Sequence, residues 1–159
     1  LDMRMNPLRG QPASALLQKI SAAALVALLE DFADEPRAAL LAVLEARCGL
    51  NFSSAEVYLN IAGGYRLSDP AADVAVAAAL VSALADKALP ADAVWFGEVS
   101  LAGEVRQVAH SSLRLRESAK LGFGSAYGPA AAKGEGKGEK GYTGLAMLPN
   151  LVDRIMGGA

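Results

Sequence analysis

The chain has 159 residues, a formal charge of −2, 53% hydrophobic residues and only 6% aromatic ones. That length supports one domain with its own core, built mainly from Ala, Val and Leu. The charge argues against a nucleic-acid footprint spread over the whole surface, though not against a local basic face. One cysteine, Cys48, and one histidine, His110, exclude an internal disulfide framework and any cysteine-based or histidine-rich metal site. A reducing compartment is the simple reading. The opening "LDMRMNPLRGQPASALLQK" lacks a signal-peptide core, and "ISAAALVALLEDF" is too short to span a bilayer. The sequence therefore reads as soluble, cytoplasmic and without a membrane partner.

Residues 14–31 predict a helix, with Leu16, Leu17, Ile20, Ala24, Leu28 and Leu29 at three- and four-residue spacings and Ser14 as candidate cap. Pro36 suits the first turn of a second helix, "RAALLAVLEARCGL", which Gly49 ends. Val57, Leu59 and Ile61 alternate with Tyr58, Asn60 and Ala62, the period of a strand, and Gly63-Gly64 marks a bend. "SDPAADVAVAAALVSALADK" is the strongest helix signal. Asp69 or Ser68 is its cap, Pro70 its first-turn proline, and Asp73 suits its dipole. Its alanines permit close approach to a sheet. "DAVWFGEVSLAGEVRQVA" predicts two strands joined by a tight turn at Ala102-Gly103.

"SSLRLRESAKLGF" predicts a helix capped by Ser111 or Ser112 and stopped by Gly122. "SAYGP" is a short strand or loop entry. Residues 130–141, with Gly134, Gly136, Gly138 and Gly141, read as a flexible solvated loop. "YTGLAMLPNLVDRIMGGA" predicts a strand and a C-terminal helix starting near Pro149 or Asn150. Two helices followed by mixed strands and helices imply an α/β (or α+β) domain.

Standard catalytic constellations are missing from this pattern. "GEGKGEKG" lacks the Gly-Lys-Ser/Thr ending of a phosphate-binding loop, and no G-x-S-x-G occurs. His110 has no acid partner in sequence. Glu98 and Glu104 flank the hairpin as a carboxylate pair, but hairpin carboxylates are more often solvated than catalytic.

Several ordered motifs nevertheless resemble one family. "FGEVSLAGEVRQV" resembles the central hairpin of Lon-type protease domains, and "DPAADVAVAAALVSAL" resembles the helix carrying their nucleophile. The run "LNIAGGYRLSDPAADVAVAAALVSALADKALP", "VWFGEVSLAGEVRQV", "RLRESAKLGF", preceded by "LAVLEARCGL", is closer still to the C-terminal Lon-like domain of the RadA (Sms) family of bacterial DNA repair and recombination proteins. It covers about residues 38–129. The resemblance implies a Lon-protease-like fold over 37–159, with 1–36 as an N-terminal helical segment or linker that matches the family poorly.

Lon proteases resemble a Ser-Lys dyad system, in which a lysine of lowered pKa takes the proton of an attacking serine. Carried onto this sequence, the serine position falls on Ala71 and the lysine position near Ser112. No lysine stands between Lys87 and Lys120, and Asp73 puts negative charge where an oxyanion would be stabilised. The resemblance thus implies a domain without this peptidase chemistry. It also implies a homo-hexameric platform, contact with single-stranded or branched DNA, and the recombinase RecA as partner.

The candidate basic contacts are Arg106 on the hairpin and Arg114, Arg116 and Lys120 on the following helix, with 116 and 120 on one face and 114 off it. For any one of them a solvated helix face is the simpler reading. The family's zinc finger, its ATPase with a Walker A loop and its K-N-R-F-G motif are not in this sequence, so ATP, magnesium and zinc are implied only for those other domains. An excised domain, a truncated paralogue and a chain with altered ends all remain open. Two other functions compete: a Lon-like peptidase using Ser68 or Ser112, and a stand-alone oligomerisation module.

Overall fold

The helix and strand signals take shape in a computed structural model that describes residues 37–52, 57, 69–130 and 141–157. The expected helix over 14–31, nearly all of the strand over 57–61, Ser68 and the loop over 131–140 lie outside the described residues. Within them the order is α1 (Arg37–Cys48), a 3-10 turn (Pro70–Ala72), α2 (Asp73–Ala85), β1 (Ala93–Trp95), β2 (Glu98–Val99), β3 (Val105–Arg106), α3 (Ser111–Lys120), β4 (Ser125–Pro129), β5 (Tyr142–Leu145) and α4 (Leu148–Gly157). β1, β4 and β5 form a parallel sheet in that spatial order, with Trp95 opposite Tyr127 and Gly128 opposite Gly144. β2 and β3 form a separate antiparallel hairpin. The domain is α/β, as the element order implies.

The core lies where α1, α2 and α4 meet the sheet. Leu44, Val74, Val81, Leu148 and Leu151 are among its largest fully buried side chains. α2 buries Val74, Val76, Ala77, Ala78, Leu80 and Val81. Its small residues let α4 pack closely, and α4 answers with Leu148, Leu151, Val152 and Ile155 at helical spacing. Gly49 follows α1 at φ +67°. Asn150 Oδ1 accepts from Met147 N–H at 3.0 Å at the start of α4.

Two local expectations change. The apolar run through Trp95 to Val99 predicts one strand, but the chain breaks at Phe96-Gly97. Gly97 has φ +145°, which sends β1 into the parallel sheet and β2 out into the hairpin. The reason is the docking of α2: Gly97 N–H donates to Ala71 C=O at 2.8 Å, and Gly97 C=O accepts from Val74 N–H at 3.1 Å. These bonds replace the ladder that a continuous strand would have made. The hairpin turn itself is as expected, with Gly103 at φ +84° and its N–H on Ser100 C=O at 2.8 Å.

The second change is at α3. Neither Ser111 nor Ser112 caps it. His110 occupies the cap position in the left-handed region, φ +61°, with no side-chain capping bond, and Ser111 Oγ instead donates to Val108 C=O at 2.9 Å. The C-terminus behaves as predicted. Gly122 at φ +88° donates to Ala119 C=O and Phe123 N–H to Ser118 C=O, a Schellman closure.

Candidate functional site

The Lon-like resemblance puts its nucleophile position at the start of α2, where the local chemistry follows from "SDPAAD". Asp69 has extended backbone and receives Ala71 N–H on Oδ1 at 2.9 Å. Pro70 fits a first turn that needs no N–H there. Ala72 N–H reaches Asp69 C=O, Asp73 N–H reaches Pro70 C=O, and Val74 N–H reaches Gly97 C=O. Each backbone donor from 71 to 74 is therefore satisfied within the protein. Ala71 is buried, 3% exposed, and its methyl carries no nucleophilic atom.

Asp73 has a role that the sequence pattern did not reveal. Its Oδ2 accepts Val99 N–H at 3.1 Å. The carboxylate ties the first turn of α2 to β2, so its charge is spent on a backbone donor of the hairpin. Only the tertiary fold supplies that donor, twenty-six residues away.

Ser112, near which the resemblance sets the lysine position, is exposed on α3. Lys120 is two turns further on and is held by Glu117 Oε1 at 2.7 Å. The helix joins α2 through Arg114, whose guanidinium meets Asp69 Oδ2 at 2.6 Å while its Nε donates to Ala109 C=O at 3.1 Å. Asp69 thus caps with one oxygen and holds a cation with the other. The Ala71 N–H bond first, and then Arg114, hold its carboxyl below the ordinary carboxylate range.

Both partners of that pair are partly exposed, so the ion pair is worth at most about 1 kcal/mol. Asp69→Asn keeps a capping oxygen and is expected to cost about 0.5–1 kcal/mol at neutral pH. Because the folded carboxyl titrates below its unfolded value of about 4, wild type holds its full advantage above that pH. The advantage is lost as pH falls through the lowered folded value. Urea midpoints of the two proteins should therefore differ at neutral pH and converge once pH has fallen below the lowered folded value; a gap that persists in acid would contradict this assignment.

The remaining candidates separate in space. Arg106, on β3, is exposed and pairs with Glu104 Oε2 at 3.2 Å. Glu104 also faces Ser100 Oγ at 3.4 Å, so it is engaged on its own hairpin. Arg116 is exposed on α3 and forms no ion pair among the described residues. His110 is exposed. Of the aromatic run, Phe96 is buried, and Trp95 stacks on Tyr127 with ring centroids 4.0 Å apart, Arg154 lying 5.2 Å from the Tyr127 ring centre. Among the described residues no group of three or more His, Cys, Asp or Glu is placed to hold a metal ion, and no helix is long and apolar enough to cross a membrane.

Sequence comparison gives this geometry its context. No family model matches the chain. It is 53% identical over 120 residues, 74% of its length, to the DNA repair protein RadA of Brucella abortus, of which that match covers 26%. The RadA proteins of Mycolicibacterium smegmatis and Salmonella typhimurium are each 48% identical, over 97 and 94 residues, covering 60% and 59% of this chain and 21% and 20% of theirs. The chain thus spans about a fifth to a quarter of the length of these RadA proteins. The resemblance expected from the ordered motifs is upheld, over a small part of each RadA protein.

Proposed function

We propose that this chain is a catalytically silent Lon-like domain that serves as an assembly platform and DNA-contacting scaffold in recombinational DNA repair. The observation that carries the silent assignment is the start of α2. Ala71 stands at the nucleophile position, and the N–H groups around it that could hold an oxyanion are already bonded within the protein. Electrostatic stabilisation of a tetrahedral intermediate needs donors aimed at the developing charge, and none of the four from 71 to 74 is available. The lysine-equivalent Ser112 cannot act as the amine base of the dyad.

The repair role is supported by the relatives, all three of which are named as DNA repair proteins. In this reading residues 37–159 are the Lon-like unit, preceded by 1–36 as a helical segment or linker, and the unit works in the cytoplasm as a ring of six. Arg106, Arg114, Arg116 and Lys120 supply cations to single-stranded or branched DNA handled together with the recombinase. A ring repeats each weak basic contact around its axis, which suits a domain whose net charge is slightly acidic.

Incubation with casein should give no turnover, and light scattering should report a hexamer. Binding to a labelled branched oligonucleotide should weaken steeply with added salt. Turnover abolished by Ser112→Ala would overturn the silent assignment. No DNA binding at low salt would leave only an oligomerisation module.

A further inference from the structure

The candidate cations are unequal. Glu104, Asp69 and Glu117 already neutralise Arg106, Arg114 and Lys120. Arg116 forms no such pair among the described residues, and it stands on the rim of a cleft of about 240 Å³ between α3 and the starts of β4 and β5. Leu115, Phe123, Ser125 and Tyr142 line that cleft. Phe123 is 37% exposed, held in place by the bond from its own N–H to Ser118 C=O. Tyr142 lines it too, and its hydroxyl donates to Pro129 C=O at 2.6 Å. α3 buries none of its residues.

We propose that this cleft is a notch for one nucleotide of a single strand: Phe123 stacks a splayed base, and Arg116 holds the phosphodiester beside it. The inference rests on the DNA-contacting reading and makes it specific. Stacking on an aromatic ring beside a cation is how single strands are gripped without sequence preference, because every base has a π-face. Lys120 lies one turn beyond Arg116, about 6 Å along the helix. That spacing provides a second cation along the same face for the next phosphate once Glu117 yields it. A phosphodiester chain presents charge at every step, which favours it over a peptide. The Asp92 carboxylate stands against Gly124, one of the lining residues, so phosphate belongs at the Arg116 side and the neutral base inside.

The test is fluorescence anisotropy with labelled oligothymidine and with an abasic strand of equal length, using the whole chain. Wild type should prefer the thymidine strand by about 5- to 100-fold. Phe123→Leu, which keeps apolar bulk but removes the ring, should bring thymidine binding down to the abasic level and leave abasic binding unchanged. Phe123→Trp should restore the preference. Arg116→Gln should weaken both strands and lower the salt slope by about one. Circular dichroism and urea midpoints matching wild type establish that the variants fold. A base preference unchanged in folded Phe123→Leu overturns the notch while the DNA reading stands. If wild type binds neither strand at low salt, both fall.

Discussion

Gly97→Ala is expected to lower stability by about 3–5 kcal/mol, the sum of backbone strain and overpacking in a site that cannot relax. Gly97 has φ +145°, where an L side chain is rarely found, and an added Cβ would stand 3.0 Å from Val74 Cγ2, 3.1 Å from Val105 Cγ1 and 3.4 Å from Pro129 Cδ. Those three atoms belong to α2, β3 and β4, so no single shift clears them. The backbone cannot swing away either, because Gly97 is bonded through N–H to Ala71 and through C=O to Val74. Gly49 provides the internal comparison. It also has a positive φ, +67°, but an added Cβ meets nothing within 4 Å. Gly49→Ala should therefore show strain alone, about 1 kcal/mol. Urea denaturation of both variants measures the difference. With native domains stable by only about 5–15 kcal/mol, the Gly97 variant should be close to its unfolding threshold. Similar midpoints for the two variants would mean that the junction of α2 with the β1–β2 break is looser than its bonds suggest.

The legible parts of this chain were those written in local signals. Alanine and valine at helical spacing, with Asp69 and Pro70 ahead of them, marked α2 to within a few residues. Gly49, Gly103 and Gly122 marked stops and a turn that the backbone realises with positive φ. The break at Phe96-Gly97 was hidden because its cause is not local. A strand pattern was interrupted by bonds to a helix start more than twenty residues earlier. The same holds for Asp73, which looked like a dipole-compatible first-turn acid and proves to hold Val99 N–H. The cap of α3 misled in the opposite direction, since two serines stood where a cap belongs and His110 took the position. At the site, Ala71 and Ser112 could be assigned only through motif resemblance. The pairing of Asp69 with Arg114, and the isolation of Arg116 beside Phe123, required the packing of α3 against its neighbours.

Leu151→Ala tests the other half of the architecture, the packing of α4 onto α1 and α2, and is expected to cost about 3–5 kcal/mol. Leu-to-Ala changes in full burial range over about 2–5 kcal/mol, according to how far the surroundings collapse into the space. Leu151 is fully buried in one cluster with Leu44, Val81 and Leu148. The opposing surface of α2 offers mostly small side chains, Val74, Ala77, Ala78 and Val81, too short to reach across. The helices are also pinned at several points. Asp73 fastens the start of α2 to β2, Lys87 Nζ donates to Met156 C=O near the end of α4, and Leu148 N–H donates to Gly103 C=O at 2.7 Å. Fixed ends leave the cavity open, which places the cost in the upper half of the range. Met156, on the same helix but 41% exposed, should tolerate alanine at about 0.5 kcal/mol or less. A thermal melt of the two variants separates them, and a Leu151 variant as mild as the Met156 one would mean that α4 rides on the domain instead of forming its core.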